Sequence, residues 1–359
     1  MTEPDFIAAP KVLLHDHLDG GLRPSTIVDL ADAVGHELPS TDLDELVAYF
    51  RKGADSRDII AYLDTFAHTV PLLQTADALE RVAAEAAVDL AADGVVYAEV
   101  RFAPELHAPV GVDGALSTDA AVEAVVAGFA RGCAEAAAAG NAIEVGTIVC
   151  AMRTEDRSAE IAELTLRWLG RGVVAFDLAG AETGFPPSDH AEALDIARRG
   201  LAHLTIHASE APGLELIGDA LAMGAERIGH GVRLIEDCER LPDGSLVLGP
   251  MATYVRDRQI PLELCPSCNV QIGAVPTIAD HPVGPFLRAG LVATVNTDNR
   301  LMSGVMPSSE LALVAETFAL AWDEVEQLVV NAAMATFQDL DARRRLVDDV
   351  IRPGFAALA

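Results

Sequence analysis

Eight short apolar runs recur along the chain, at residues 12–18, 95–101, 144–150, 173–178, 204–208, 227–231, 261–265 and 291–296. Most are continuous rather than alternating. Continuous runs mark strands covered on both faces, the condition of a parallel sheet. Between them lie alanine-rich stretches at 120–139, 159–170, 190–200, 215–223 and 246–258. Such stretches favour helix, because alanine loses no side-chain entropy there. Strand followed by helix, repeated without a second regime of composition, predicts an α/β fold: one (β/α)8 TIM barrel spanning residues 1–359. A doubly wound open sheet is the alternative. It would carry a Gly-x-Gly-x-x-Gly turn after a strand, and none of the eight runs is followed by one.

Two departures from a plain barrel are visible. Residues 20–94, between the first two strands, are too many for a simple crossover. Helix starts are readable inside them: Pro24-Ser25-Thr26 opens a helix ending near Gly35, 43–51 forms another, and Ser56-Arg57-Asp58 opens a longer one. An insertion at the C-terminal end of the first strand lies over the barrel mouth, so this segment is expected to act as a lid. The tail after Pro307 reads as further helices at 309–321, 323–336 and 341–351.

Composition narrows the partners. The chain has 359 residues, 51% of them hydrophobic, which is ample for a large core. Its formal net charge of −30 would repel nucleic acid and anionic membrane surfaces alike, and there is no basic stripe. Met1-Thr2-Glu3-Pro4-Asp5 offers no positive n-region or apolar h-region, so no secretory signal is expected. The apolar stretch 85–100 is broken by Asp89, Asp93 and Glu99 and is no membrane span. Five cysteines, sparse and odd in number, suit a reducing cytoplasm.

The chemistry gathers at strand ends. His15 and His17 close the first run, His207 the fifth, His230 the sixth, and Asp298 follows the eighth. Side chains two apart on a strand share a face, so His15 and His17 point the same way. In barrel enzymes the catalytic groups come from the C-terminal ends of several strands. Three imidazoles and a carboxylate form a ligand set suited to zinc, with Glu210 and His230 left as acid and base. One histidine beside a strand is ordinarily structural, and Asp298 alone could cap a helix. The joint occurrence on four strand ends is what favours a metal.

The segments Lys11–Gly20, Tyr97–Pro104, Asp177–Gly180, His207–Glu210, Arg227–Gly231, Glu263–Pro266 and Asn296–Asp298 together resemble the signature segments of adenosine deaminases, in order along the chain. That family belongs to the metal-dependent amidohydrolases. The resemblance implies one Zn2+ per chain, held by His15, His17, His207 and Asp298. It implies a purine nucleoside as substrate, contacted by His17, Asp19, Gly180 and Asn299. Glu210 would protonate purine N1, and His230 would position the attacking water and assist its deprotonation. The Gly180 N–H would reach N3, and Asp19 the ribose 5′-hydroxyl. Asn299 stands where the family has a second aspartate against N7; an amide can donate to N7 without first taking up a proton. Leu13 stands where the family often has Glu.

Other residues are expected to be structural. Cys265-Pro266-Ser267-Cys268 is a lone C-x-x-C, read as surface or packed thiols rather than a metal site. The one H-x-E, His190-Ala191-Glu192, has no P-C-x-x-C to go with it, which excludes the cytidine-deaminase type of zinc site. His36, His68, His107, His190, His203 and His281 are read as surface or helix residues, while Met302 or Met306 is read as a possible substrate contact. Asp16 is expected to face the helix layer. The implied activity is deamination of adenosine, and of 2′-deoxyadenosine, to the inosine form and ammonia. Two alternatives remain: a deaminase of adenine or another adenosine derivative, and a silent barrel serving as a binding module. Arg101-Phe102-Ala103-Pro104 favours adenosine over adenine, and the intact ligand set argues against a silent barrel.

Overall fold

The computed structural model describes residues 5–359. The start of the N-terminal stretch from which no secretory signal is expected, residues 1–4, lies outside them. Eight strands form one parallel sheet: β1 (Lys11–His17), β2 (Val95–Phe102), β3 (Glu144–Met152), β4 (Val173–Ala179), β5 (His203–Ala208), β6 (Arg227–His230), β9 (Leu262–Leu264) and β10 (Ala293–Val295). They follow one another in chain order around the barrel. The seam between β10 and β1 is closed beyond β10: the His17 N–H donates to Asp298 O at 2.7 Å, and the Asp298 N–H to His15 O at 3.0 Å. The (β/α)8 TIM barrel read from the sequence is therefore present, with its helical insertion and its additional C-terminal helices.

The crossover helices Thr118–Ala138, Ser158–Trp168, Ala191–Arg199 and Glu215–Ala222 lie where the alanine-rich stretches place them. The stretch 246–258 is different. Leu246–Leu248 is a strand, β8, paired antiparallel with β7 (Cys238–Arg240), and the helix begins only at Pro250. Pro242-Asp243-Gly244 makes the hairpin turn, with Gly244 at φ 83°. The run Leu-Val-Leu merges with the helix pattern behind it, which hides a three-residue strand.

Residues 20–94 contain α1 (Pro24–Val34), α2 (Leu43–Ala54), α3 (Ile59–Leu63) and α4 (Ala76–Ala92). Asp58 caps α3, accepting from the Ile60 and Ala61 N–H groups. The long helix expected there stops after five residues and continues as the 3-10 turns Asp64–His68 and Val70–Leu72. Thr65, Thr69, Val70 and Pro71 explain the break, since β-branched residues and proline disfavour a continuing helix. Ile59, Tyr62, Leu63, Phe66, Val70 and Pro71 form a wall of the cavity above the barrel. No helix among the described residues is long and apolar enough to cross a membrane.

The lower barrel interior is ionic rather than apolar. Arg227 donates to Glu99 Oε2 and Glu263 Oε1, both at 2.6 Å. Arg101 donates to Asp177 Oδ2 at 2.9 Å and Glu263 Oε2 at 2.7 Å. All five side chains are buried. Such a set is tolerable only because every carboxylate has a partner. It forms the floor on which the site stands.

Candidate active site

The barrel mouth brings together the side chains that the sequence separates. His15 Nε2 and His17 Nε2 lie 3.3 and 3.4 Å from Asp298 Oδ1, and His17 Nε2 lies 3.3 Å from His207 Nε2. Each histidine sits at a strand end because alternation turns it inward. Asp298 and His230 need more: both are non-glycine residues in the left-handed region, at φ 59° and 58°, as is Ser209 at 60°. Each such residue costs about 1–3 kcal/mol and survives where surrounding structure imposes it. Three of them cluster at the ends of the strands that carry the chemistry.

The floor orients His15 and His207. His15 Nδ1–H donates to Glu263 Oε2 at 2.8 Å, and His207 Nδ1–H to Asp177 Oδ1 at 3.1 Å. A proton held on Nδ1 leaves the Nε2 lone pair free and aimed inward, the arrangement that metal-ligating histidines use. Burial would raise Asp177, but the His207 ring and Arg101 overcome it and hold the carboxyl well below its ordinary range. Burial opposes ionisation of Glu263 too, yet Arg101 and Arg227 bring it to about 2. Both carboxylates are therefore charged acceptors. Desolvation pushes His15 and His17 well below the ordinary histidine value, which keeps them neutral and able to ligate.

The donor set fits a metal. His15, His17 and Asp298 bring their ligand atoms within 4.8 Å of one another, and so do His15, His207 and His230. His15 Nε2 is buried and has no hydrogen-bond partner. An orphaned buried lone pair is costly unless a cation takes it.

Glu210 stands beside this cluster. Its Oε1 lies 3.6 Å from His230 Nε2, 3.4 Å from Asn269 Nδ2 and 3.8 Å from Cys268 Sγ. Burial first, then the charges of Asp298 and Glu182, push the Glu210 carboxyl well above its ordinary value. The loop is held by Glu182, whose carboxylate accepts the backbone N–H of Glu210 and of Ala211 at 3.2 and 3.1 Å.

A cavity of about 400 Å3 opens above these groups, lined by His17, Asp19, Gly180, His207, Glu210, His230, Asp298 and Asn299. Of the residues that the family resemblance assigns to metal or substrate, all line it except His15, which is fully buried beneath. Gly180 has φ 95°, a conformation that glycine takes without strain and that exposes its backbone at the wall. Asn299 packs so closely on Gly20 that a Cβ there would overlap its amide oxygen. Burial raises Asp19 to about 7.

Some expectations need correction. Met302 is buried in the core and neither it nor Met306 lines the cavity; Met152 does. His281 is buried and lies in no helix, whereas buried His107 and His190 end short helices as expected. Asp16 faces the turn after β10, where its carboxylate accepts from Thr297 Oγ1 at 2.8 Å and Arg300 Nε at 3.0 Å. Cys265 and Cys268 are packed, reduced thiols and not surface ones. The sequence reading gave no role to Glu99, Arg101, Asp177, Glu182, Arg227, Glu263, Asn269 or His281. A readable signal existed for five of them: charges set within otherwise apolar strand runs.

The adenosine deaminase family model matches residues 10–353. The chain belongs to the adenosine deaminase family. An adenosine deaminase from Mycobacterium sp. (strain KMS) is 52% identical over 361 residues, covering 100% of this chain and 99% of that one. Adenosine deaminase 1 of Streptomyces coelicolor is 52% identical over 358 residues, covering 99% and 89%. Among solved structures, the adenine deaminase of Arthrobacter aurescens is 28% identical, with a TM-score of 0.80 and coverage of 96% and 98%. An amidohydrolase from Burkholderia ambifaria with bound Zn shares the fold at a TM-score of 0.82 and 24% identity, covering 98% and 92%. Membership makes this chain a hydrolytic deaminase, as the strand-end chemistry implies.

Proposed function

We propose that this deaminase converts adenosine and 2′-deoxyadenosine to their inosine forms and ammonia, with one Zn2+ held by His15, His17, His207 and Asp298. The convergence of His15, His17, His207 and Asp298 at strand ends, beside a buried Glu210 whose carboxyl burial raises, is the observation that carries this reading. Identity near 52% to adenosine deaminases, against 28% to an adenine deaminase, supports adenosine. The cavity supports a neutral nucleoside over a nucleotide: no lysine or arginine lines it, so a phosphate would be buried without a counter-charge. The five reduced cysteines support a cytoplasmic setting.

When bound, zinc supplies Lewis acidity that makes water a nucleophile near neutral pH. The chain's own residues do the rest. Asn299 and the Gly180 N–H read the purine edge at N7 and N3, and Asp19 receives the 5′-hydroxyl. Glu210, kept protonated by burial, gives its proton to N1 and so makes C6 a better electron acceptor. His230 orients the water. As the C6–O bond forms, one water proton replaces the proton that Glu210 gave to N1. The hydroxyl proton passes to N6, the C6–N6 bond breaks, and ammonia leaves a C6 carbonyl with N1–H. The apolar wall from α3 to Pro71 covers the bound ring and excludes bulk water, which is the work of a lid.

An ultraviolet assay across adenosine, 2′-deoxyadenosine, adenine and AMP, with metal analysis on the same sample, tests this reading. Turnover of the two nucleosides with about one zinc per chain is expected. Preference for adenine or AMP overturns the substrate assignment. Asp298→Ala that keeps a full equivalent of zinc overturns the ligand set.

A further inference from the structure

Hydrogen-bond direction can be followed from the barrel wall to His230. His281 is fully buried between the turn Ile278–Asp280 and the helix Val283–Arg288. Its Nδ1 accepts the backbone N–H of Val283 at 3.2 Å. A peptide N–H can only donate, so Nδ1 holds a lone pair and the ring proton sits on Nε2. Nε2–H then donates to Asn269 Oδ1 at 3.2 Å. The same oxygen accepts the Cys265 N–H at 3.4 Å. Two independent donors thus fix which end of the Asn269 amide is oxygen. The other end, Nδ2, lies 3.2 Å from His230 Nδ1 and 3.4 Å from Glu210 Oε1. An amide nitrogen donates and never accepts. His230 Nδ1 must therefore accept, because a proton there would meet the amide N–H head on.

We propose that His281 and Asn269 are positioning residues that fix His230 as its Nε2–H tautomer, making it a hydrogen-bond donor to the attacking water and excluding it from the metal's ligand set. The last step rests on the deaminase reading above; the tautomer does not. His230 clusters with His15 and His207, and also with Glu210 and Asp298, so geometry alone leaves the ligand set open. The tautomer decides it. His15 and His207 are held with Nδ1–H and bare Nε2, whereas His230 is held the opposite way. A nitrogen that carries hydrogen has no lone pair, so it neither ligates a cation nor takes a proton from water. His230 thus presents N–H to the water oxygen, and Glu210, 3.6 Å away, is left as the group that receives the water proton.

Histidine ring 15N spectra of the metal-free chain test the tautomer directly, with the His230 signal assigned by its loss in His230→Ala. The expected result is an unprotonated Nδ1 and a protonated Nε2. Asn269→Asp puts an acceptor where the amide donated, and should bring a proton onto His230 Nδ1. In the zinc-loaded enzyme the same variant should lose about 10- to 100-fold in kcat while KM for adenosine stays within about threefold. His281→Leu should give mixed tautomers, and His281→Gln, which can still donate to Asn269, should restore one. This pair keeps the test open if Asn269→Asp fails to fold. A protonated Nδ1 in the wild-type chain, or a ring unchanged in both Asn269→Asp and His281→Leu, overturns the proposal. The spectra need neither metal nor substrate, so the tautomer would be established or refuted even in a chain that failed to deaminate adenosine.

Discussion

Replacing purine N7 by carbon tests the contact proposed for Asn299. Asn299 is 3% exposed, lines the cavity, and has its amide oxygen backed against Gly20. In the proposed reading the amide nitrogen turns to the substrate, as a donor to N7 of bound adenosine. With 7-deazaadenosine it faces C–H and loses its partner in a site closed to water. A buried donor left unpaired costs about 1–3 kcal/mol, which corresponds to a factor of roughly 5 to 150. The wild-type kcat/KM should fall by that factor between the two substrates. Asn299→Ala has no donor to strand, so its ratio between the substrates should shrink correspondingly. Any loss of reactivity intrinsic to the deaza ring appears in both proteins and cancels. Asn299→Asp adds a check by pH, because a carboxyl donates only while protonated. Its preference for adenosine should fade as pH rises, while the wild-type preference stays level. Continuous ultraviolet assays on three proteins and two substrates suffice. An equal deaza penalty in wild type and Asn299→Ala would show that Asn299 does not read N7.

Glu210→Gln should retain metal and bind adenosine yet lose at least about 10²–10⁴-fold in kcat, since an amide can donate to N1 but cannot transfer a proton; activity within tenfold of wild type removes Glu210 from the mechanism. The helices of the proposed lid, residues 20–94, should gain hydrogen-exchange protection when a transition-state analogue binds, and unchanged exchange there alongside protection at 207–210 counts against a lid. Glu310 is buried, accepts from the Ser267 N–H and hydroxyl, and is raised by burial from 4.5 to about 7. Its folded state holds the proton more tightly than the unfolded one, so its stabilisation is complete below about pH 4.5 and is lost as pH rises through 7. Denaturation of wild type and Glu310→Gln at pH 5 and pH 8 should show the variant gaining, relative to wild type, about 2.5 kcal/mol; parallel curves refute the shift.

The barrel was legible because strands buried on both faces leave unbroken apolar runs, and the cluster at its mouth because a histidine at the end of such a run has few structural reasons to be there. What stayed hidden follows from the same logic. The β7–β8 hairpin has three residues per strand, too few for any period to show. Glu99, Arg101, Asp177, Arg227 and Glu263 look misplaced in an apolar run until their partners, far away in sequence, are known. Asn269 and His281 carry no local signal at all; their roles exist only as directed hydrogen bonds between a helix, a loop and a strand end. The lid's break after α3 was readable in Thr65, Thr69, Val70 and Pro71, but a cap at Asp58 suggests a longer helix when considered alone.

The ionic floor also bears on how such a chain can reach its native state. Glu99 and Arg227 are 128 residues apart in sequence, and Arg101 and Glu263 are 162 apart. A nascent or excised half-barrel ending before β6 would hold Glu99 without Arg227, and Arg101 and Asp177 without Glu263. Arg101 and Asp177 would keep each other, but burying Glu99 without Arg227 would cost several kcal/mol. Stable assembly of the early strands must therefore wait for the late ones. The floor makes the barrel an all-or-none structure, one in which ring closure and the supports for His15 and His207 are acquired in the same event, and a truncated chain should remain open and solvated rather than settle into a smaller fold.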